Sequence, residues 1–214
     1  MKKIPVFILT LALSLVAANA FAANFGLNPS TGEDTVYFRS QAKLEFIEGK
    51  TNLIEGSFQA SPDSLSGQVG GTLRVDLRTL KTWIDMRDEH MRERHLQTDS
   101  FPYAYFQITG ITGLPSQLPV GQLAKGTATG MFYIHGGKRK IEAILEVTRV
   151  KGGGGDETLA IRTKFTLHLD DYGIPRPKAL FLKLAEAVDI EVIFSGHNNL
   201  GSANLTLPDW PERK

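Results

Sequence analysis

The sequence predicts an all-β fold, an antiparallel barrel of about eight strands with one helix inserted between strands. Two observations support this fold class. Apolar and polar residues alternate along most of the chain, as they do in strands with one buried face. One long stretch, from Thr82 to Phe106, instead begins with apolar residues three and four positions apart, which is the spacing of one helical face.

The first part of the chain is predicted to contain three strands. The segment 24–34 is polar and contains Gly and Pro, so we expect a lead-in without strands. A strand at Gln41–Phe46 is followed by a turn at Glu48–Lys50 and by a second strand at Ile54–Phe58. A third strand, Gly71–Leu77, leads directly into the helical stretch.

The remaining strands follow the helix and are joined mostly by short turns. They are predicted at Ala104–Ile108, Leu123–Ile134, Ile141–Val147, Leu159–Leu169 and Val188–Phe194. Because each strand has one apolar face, the sheet must bury that face by closing on itself or by folding into a sandwich. We favour the barrel because closure removes exposed edges and because the longest strands suit a tall wall.

The N-terminal residues 1–22 have the composition of a secretory signal peptide. Lys2-Lys3 precedes an apolar run, Ile4–Val16, and small-x-small cleavage sites end at Ala20 and Ala22. The run is shorter than the roughly 20 apolar residues that a membrane-spanning helix needs. We therefore expect export, cleavage near Ala20 or Ala22, and a periplasmic or secreted mature protein.

The mature chain is expected to form one domain, residues 23–197, followed by a tail. The tail, residues 198–214, is expected to lie over the surface with Leu205, Leu207 and Trp210 as anchors. The absence of Cys excludes a disulfide scaffold and thiol chemistry. The formal charge of +1 becomes −1 without the two leader lysines, so charge gives no reason to expect a nucleic-acid partner.

The helical stretch contains the most unusual mixture of side chains in the sequence. Trp83, Met86, Arg87, His90 and Met91 are predicted to share one helical face, which Ser100–Pro102 then ends. An apolar wall with one or two polar anchors suits a long lipid with a polar head. The alternative is that Trp83 and Met86 only cap a filled barrel, with Arg87 bonded to exposed carbonyl groups or paired with a nearby acid.

Catalytic and metal-binding patterns are absent from the sequence. His90 and His95 are five residues apart, so an ordinary helix points them to different faces, whereas a zinc-protease helix needs histidines four apart. Asp88, Glu89 and Glu93 are typical of a solvated helix face. No nucleophile elbow and no phosphate-binding Gly loop occurs. We predict no metal, no cofactor and no enzymatic activity.

Several segments together carry a resemblance to a known family. They are Ile54–Phe58, Gly71–Leu80, Met86–Met91, Asp99–Pro102 with Tyr105-Phe106, Tyr133–Gly136 with Lys138, and Phe165–Gly173. In these segments, which fall between Tyr37 and Phe194, the chain resembles the YceI-like family of exported bacterial proteins. Members of that family are lipocalin-like barrels associated with polyisoprenoid lipids.

The resemblance implies a lipocalin-like barrel that holds a long isoprenoid, such as a quinone or a polyprenyl lipid, for carriage, storage or protection. We add the hypothesis that Arg87 or His90 meets the head group. The candidate ligand-binding residues are Phe58, Leu73, Val75, Trp83, Met86, Arg87, His90, Met91, Phe106, Phe132, Phe165 and Leu167. Expected partners are the isoprenoid lipid and, transiently, a membrane surface, and the oligomer considered is a homodimer.

Two other functions remain open at this point. The first is a stress-protective interaction protein whose barrel is filled and holds no ligand. The second is a hydrolase of small amphiphiles that would use Asp88 or His90.

Overall fold

The computed structural model describes residues 22–41, 46–63, 69–176 and 185–213, so the predicted leader before Ala22 lies outside the described residues. Within these ranges the strands are β1 (Ala23–Gly26), β2 (Thr35–Gln41), β3 (Phe46–Thr51), β4 (Ile54–Ala60), β5 (Gly70–Asp76), β6 (Tyr103–Thr112), β7 (Leu123–Ile134), β8 (Gly137–Lys151), β9 (Glu157–His168) and β10 (Ala187–His197).

The helix α1 (Asp85–His90) lies between β5 and β6 and continues as a π-helical segment, Met91–Leu96. Short 3-10 turns occur at Pro29–Thr31, Leu77–Thr79, Gly153–Gly155 and Leu169–Tyr172. In the part of the chain that the structure describes, no helix is both long enough and apolar enough to cross a membrane.

The described strands close into a barrel of eight. β4 to β10 pair antiparallel in chain order, and β1 completes the ring by pairing with β4 and, at Gly26 and His197, with β10. The other two strands extend the wall, because β2 pairs with β10 along residues 189–193 and β3 pairs with β2. The predicted fold, a barrel of about eight strands with one inserted helix, is confirmed.

The alternation in the sequence corresponds to the inner and outer faces of the wall. On β9, Leu159, Ile161 and Leu167 are buried, whereas Arg162 and Thr166 are exposed. The same side-chain period of two applies to the other long strands, since successive residues of a strand point to opposite faces.

The N-terminal strands differ from the prediction. Gln41 ends β2 and Phe46 begins β3, and the predicted strand residues 42–45 between them lie outside the described residues. The predicted turn Glu48–Lys50 lies inside β3 instead. The charged residues of this segment are compatible with a strand because they are not on its apolar face. The Nε atom of Arg39 on β2 donates to the Glu48 carboxylate at 2.6 Å.

The expectation of a lead-in without strands was also wrong, because residues 23–26 form β1. The sequence around Phe25 is too short and too polar to show alternation, yet Phe25 is completely buried. Pairing with β4 places Phe25 opposite Phe58, so this short strand both closes the barrel and fills its interior.

The barrel interior divides along its axis into two parts. The filled half is packed around Phe25, Phe58 and Phe194, with ring centroids 5.5 Å apart for Phe25 and Phe58 and 6.3 Å apart for Phe58 and Phe194. The cavity half lies between this cluster and the helical segment 85–96, and it contains the candidate site.

A buried arginine closes the far end of the filled half. Arg149 is only 4% exposed, and its guanidinium donates to the carboxylates of Asp63, at 2.6 Å, and of Glu157. It also donates to the carbonyl oxygen of Leu118, at 3.3 Å. These bonds hold the loop before β7 over this end of the barrel.

The C-terminal residues 198–213 run along the outside of the wall. The Ser57 hydroxyl donates to the carbonyl of Ala203 at 3.5 Å. Further on, the Trp210 ring packs edge-on against Phe101 and Tyr105, at centroid distances of 5.6 and 6.3 Å. Glu212 then forms a β-bridge with Lys138, at the start of β8.

Candidate functional site

The cavity half encloses an apolar cavity of about 450 Å³. Such a volume lies within the range of about 300–1,000 Å³ that is usual for small-ligand pockets. Inward-facing side chains of the barrel wall form its sides, and the helical segment 85–96 forms its upper boundary. The wall residues include Leu73, Val75, Phe106, Phe165 and Leu167.

The aromatic side of the cavity is held in place by edge-to-face contacts. The Phe132 ring lies 5.2 Å from that of Phe165 and 5.8 Å from that of Tyr172, both in T-shaped geometry. The Tyr172 hydroxyl is buried without a hydrogen-bond partner, and burial raises its pKa to about 12. The neighbouring wall on β10 is aliphatic, where Ile190 and Val188 pair with Phe165 and Leu167 of β9. The interior therefore combines rigid rings with aliphatic side chains.

A buried hydrogen-bond network anchors the start of α1. The Asp88 carboxylate accepts the backbone N–H of Thr82 at 2.7 Å and the Thr82 hydroxyl at 2.5 Å. The Nε atom of Arg87 donates to the Thr82 hydroxyl at 2.8 Å, and its guanidinium also donates to the Thr82 carbonyl at 3.2 Å. Because Thr82 and Asp88 are 5% and 4% exposed, this network is shielded from water and fixes the start of α1 to the residue Thr82 before it.

The other end of the helical segment is tied across the cavity. The Nδ1 atom of His95 donates to the carbonyl oxygen of Pro175 at 2.6 Å, and both residues line the cavity. The helical segment ends at Leu96, where Gln97 adopts a left-handed conformation, and not at the predicted Ser100–Pro102. A left-handed residue is a frequent helix terminator, although the position is more often Gly or Asn.

The π-helical segment also corrects the prediction for the two histidines. His90 and His95 both line the cavity, although they are five residues apart. The prediction assumed α-helical turns throughout, whereas a π-helix forms i to i+5 hydrogen bonds and brings such residues to the same side.

Polar side chains lie mainly at the helical end of the cavity. Thr82, Arg87, His90 and His95 line this end, while the wall of β9 contributes Thr163, whose hydroxyl has no hydrogen-bond partner. The cavity thus offers hydrogen-bonding groups near α1 and hydrocarbon surface elsewhere, as an amphiphilic ligand requires.

The cavity reaches the surface beside α1. Ile84 and Met86 line the cavity but are also 50% and 68% exposed. We call this opening the mouth.

Ten of the predicted ligand-binding residues line the cavity. They are Leu73, Val75, Met86, Arg87, His90, Met91, Phe106, Phe132, Phe165 and Leu167. Their contact with a ligand remains a prediction.

The other two predicted residues, Phe58 and Trp83, lie elsewhere. Phe58 is 4% exposed and packs in the filled half, because strand pairing places it beside Phe25. Trp83 precedes α1 with a φ of 61° and is 61% exposed, so it does not share the face of Met86. Its ring lies under the Lys50 ammonium, at 5.7 Å.

Sequence reasoning missed lining residues on strands at both ends of the chain. Val188, Ile190 and Val192 line the cavity, and their alternation was visible in the sequence. Phe38 and Ile47 were missed because the boundaries of β2 and β3 were misplaced.

The acidic residue Asp88 of the helical stretch holds the backbone at the start of α1. The Asp88 carboxylate accepts hydrogen bonds from Thr82, and Asp88 does not line the cavity. Among the described residues, no group of three or more His, Asp or Glu side chains is placed to hold a metal ion. Of the two residues named for a hydrolase, only His90 lines the cavity.

A closed eight-stranded barrel with an apolar interior of this kind belongs to the class of barrels that can hold one small ligand, as lipocalins do. The chain belongs to the YceI-like family, because the model of the YceI-like domain matches residues 28–195. This match confirms the family suggested by the motifs.

Solved structures from three bacteria have the same fold. A polyisoprenoid binding domain from Saccharophagus degradans, implicated in plant cell wall breakdown, has 16% identity and a TM-score of 0.60, covering 82% of this chain and 98% of that chain. BcnA from Burkholderia cenocepacia has 14% identity and a TM-score of 0.59, with 79% and 98% covered. The YCEI protein from Campylobacter jejuni has 15% identity and a TM-score of 0.59, with 71% and 84% covered. A comparison with curated proteins finds no match.

Proposed function

We propose that the protein is an exported binding protein that carries, stores or protects a long-chain isoprenoid of the quinone or polyprenyl type. The observation that carries this proposal is the cavity of about 450 Å³, with apolar walls and polar groups concentrated near α1. The likeness to a polyisoprenoid binding domain and the family membership support it.

Binding is driven by burial of the hydrocarbon tail. Removing apolar surface from water contributes about 25 cal/mol per Å², or roughly 0.8 kcal/mol for each buried CH₂ group. The tail lies among Val75, Phe165 and Ile190, and the head group lies near Arg87 and His90. The protein supplies no chemistry, only a site where the tail is shielded from water.

A cavity-blocking variant tests the binding of isoprenoid. Ile190 lines the cavity beside Phe165, its partner across β9 and β10, so Ile190→Trp places an indole in the space for the tail. We expect at least a tenfold loss of isoprenoid recovered by solvent extraction and mass spectrometry, since even two displaced CH₂ groups account for about that factor. The matched control is Ile144→Trp, because Ile144 is 62% exposed on the outer face of β8.

The result separates isoprenoid carriage from a ligand-free interaction protein. Folding of both variants is checked by circular dichroism and thermal unfolding. Isoprenoid in the wild type and in Ile144→Trp, with loss in Ile190→Trp, agrees with the proposal. Clean extracts from all three, with no uptake of added quinone, contradict it.

Export is tested on the mature N-terminus. The proposed leader consists of Lys2-Lys3, the apolar run Ile4–Val16 and the small-residue sites. We expect the periplasmic or secreted protein to begin immediately after Ala20 or Ala22, as measured by mass spectrometry of the intact chain. Recovery of the uncleaved chain in the cytoplasmic fraction alone contradicts export.

A further inference from the structure

A group of exposed apolar side chains surrounds the mouth of the cavity. Trp83, Ile84 and Met86 are 61%, 50% and 68% exposed, and we call them the mouth patch. Ile84 and Met86 belong to both the patch and the cavity lining, and Trp83 directly precedes Ile84 in the chain. The apolar surface therefore continues from the interior of the barrel to the outside.

A left-handed backbone conformation directs the Trp83 side chain into solvent. Its φ of 61° lies in the left-handed region, which is unfavourable for a bulky residue. The neighbouring Thr82 is held by the buried Asp88 carboxylate through its N–H and its hydroxyl, so the surrounding structure maintains this conformation. Backbone strain of this kind is concentrated at functional sites. Here it holds a large apolar side chain in solvent next to the mouth.

The charges around the patch do not select a strongly charged partner. Residues 81–94 contain four basic and four acidic side chains, and Lys50 beside Trp83 adds one positive charge, so neither sign is in large excess. The Lys50 ammonium lies 5.7 Å from the centre of the Trp83 ring, an arrangement in which the lysine can reach polar head groups while the indole enters the interface. Trp is enriched at membrane interfaces because its ring is amphipathic.

We propose that the mouth patch docks on the surface of a phospholipid bilayer and that an isoprenoid passes directly between bilayer and cavity over Ile84 and Met86. The route of transfer rests on the proposed function, whereas docking itself does not require a ligand. A bilayer is the occupant that fits, because the patch opens into a hydrocarbon-lined cavity and neither sign of charge is in large excess around it. Apolar insertion, and not attraction to anionic lipid, dominates the contact.

The variant Trp83→Gly tests docking without disturbing the cavity. Gly adopts the required φ without steric cost, so the variant is expected to fold, and Trp83 does not line the cavity. The matched control is Leu123→Ser, because Leu123 is 58% exposed at the start of β7, where it pairs with Thr148 far from the mouth. The probes are phosphatidylcholine vesicles with and without phosphatidylglycerol.

Vesicle sedimentation measures the docking step. We expect wild type and Leu123→Ser to bind both kinds of vesicle equally, and Trp83→Gly to lose about tenfold in partition coefficient because it lacks the apolar area of the indole. Equal binding by Trp83→Gly and wild type overturns the proposal, as does failure of the wild type to bind. Binding that needs phosphatidylglycerol overturns it too, since basic residues then dominate.

Lipid transfer measures the second step. A fluorescent polyprenyl lipid is loaded in vesicles, and its uptake is followed over time. We expect the uptake rate to rise with vesicle concentration and to fall about tenfold in Trp83→Gly, with unchanged affinity for the same lipid in detergent micelles. A rate independent of vesicle concentration overturns direct passage. Trp83-dependent vesicle binding without lipid uptake by any variant supports docking and contradicts the proposed function.

Discussion

In the filled half of the barrel, the rings of Phe25, Phe58 and Phe194 meet at one level, whereas the cavity half, built from the same long strands, remains hollow. The inward positions of β4 and β10 show the contrast directly. Phe58 and Phe194 fill one end, and Ile54 and Ile190 line the cavity at the other. Whether a cavity remains thus depends on which side chains meet at the same height along the barrel axis, and not on how apolar the strands are.

Glycines on neighbouring strands help to keep the cavity half open. A Cβ atom at Gly130 would lie 2.6 Å from Cε2 of Phe106, so this ring lies flat against the wall. The Phe38 ring covers Gly49 in the same way. In the filled half Phe58 also lies against a glycine, Gly196, but Phe25 stacks on its free face and occupies the centre.

The largest expected effect is a loss in the free energy of unfolding when a ring is removed from the filled half. Phe58→Ala removes a ring that is 4% exposed between two other rings, and we expect it to lower the free energy of unfolding by about 3–5 kcal/mol. Urea denaturation measures this change. A loss below about 1 kcal/mol would mean that the filled half is loosely packed.

The matched variant in the cavity half is Phe165→Ala. The Phe165 ring faces the cavity and is only partly buried, so we expect less than about 2 kcal/mol of destabilisation together with weaker isoprenoid binding. Equal destabilisation by the two variants would contradict the distinction between the halves.

A smaller effect concerns the attachment of β2 to β10 in the barrel wall. Burial opposes the ionisation of Glu191, but hydrogen bonds from Arg39 and Arg162 outweigh it and lower its pKa to about 2. Because Arg39 is on β2 and Glu191 on β10, the ion pair holds β2 on the barrel wall.

Stability from this ion pair depends on pH in a defined direction. The pKa in the folded chain is below the ordinary value of 4.5, so the contribution is present above pH 4.5 and is lost as the pH falls toward 2. We expect a loss on the order of 2 kcal/mol, because solvent partly screens the pair. Denaturation at several pH values compares wild type with Glu191→Gln. The difference between the two should shrink on acidification, and a constant difference would contradict this account.

Much of the site could be predicted because the alternation of apolar and polar residues indicates which side chains of a strand face inward and which face outward. Leu73, Val75 and Phe165 were placed on the inner face by this pattern alone, and they line the cavity. The helical spacing likewise located Met86 and Met91, which lie at the helical end of the cavity.

The errors share a physical cause. A period of two tells which face of the sheet a residue is on, but not at which level along the barrel axis it lies. Phe58 points into the barrel as predicted, but it lies in the filled half and not beside the cavity. Its pairing with β1 places it there. The direction of Trp83 was equally hidden, because a left-handed backbone held by Thr82 and Asp88 leaves no signal in helical spacing.

The sequence by itself determined the all-β class, the place of the inserted helix and the inner faces of most strands, because these depend on local periodicity. Tertiary structure alone decided that one half is filled and the other hollow, that His90 and His95 share the cavity, and that Trp83 faces solvent. These outcomes depend on strand pairing, on a π-helical turn and on contacts between distant residues. Local periodicity cannot specify any of them.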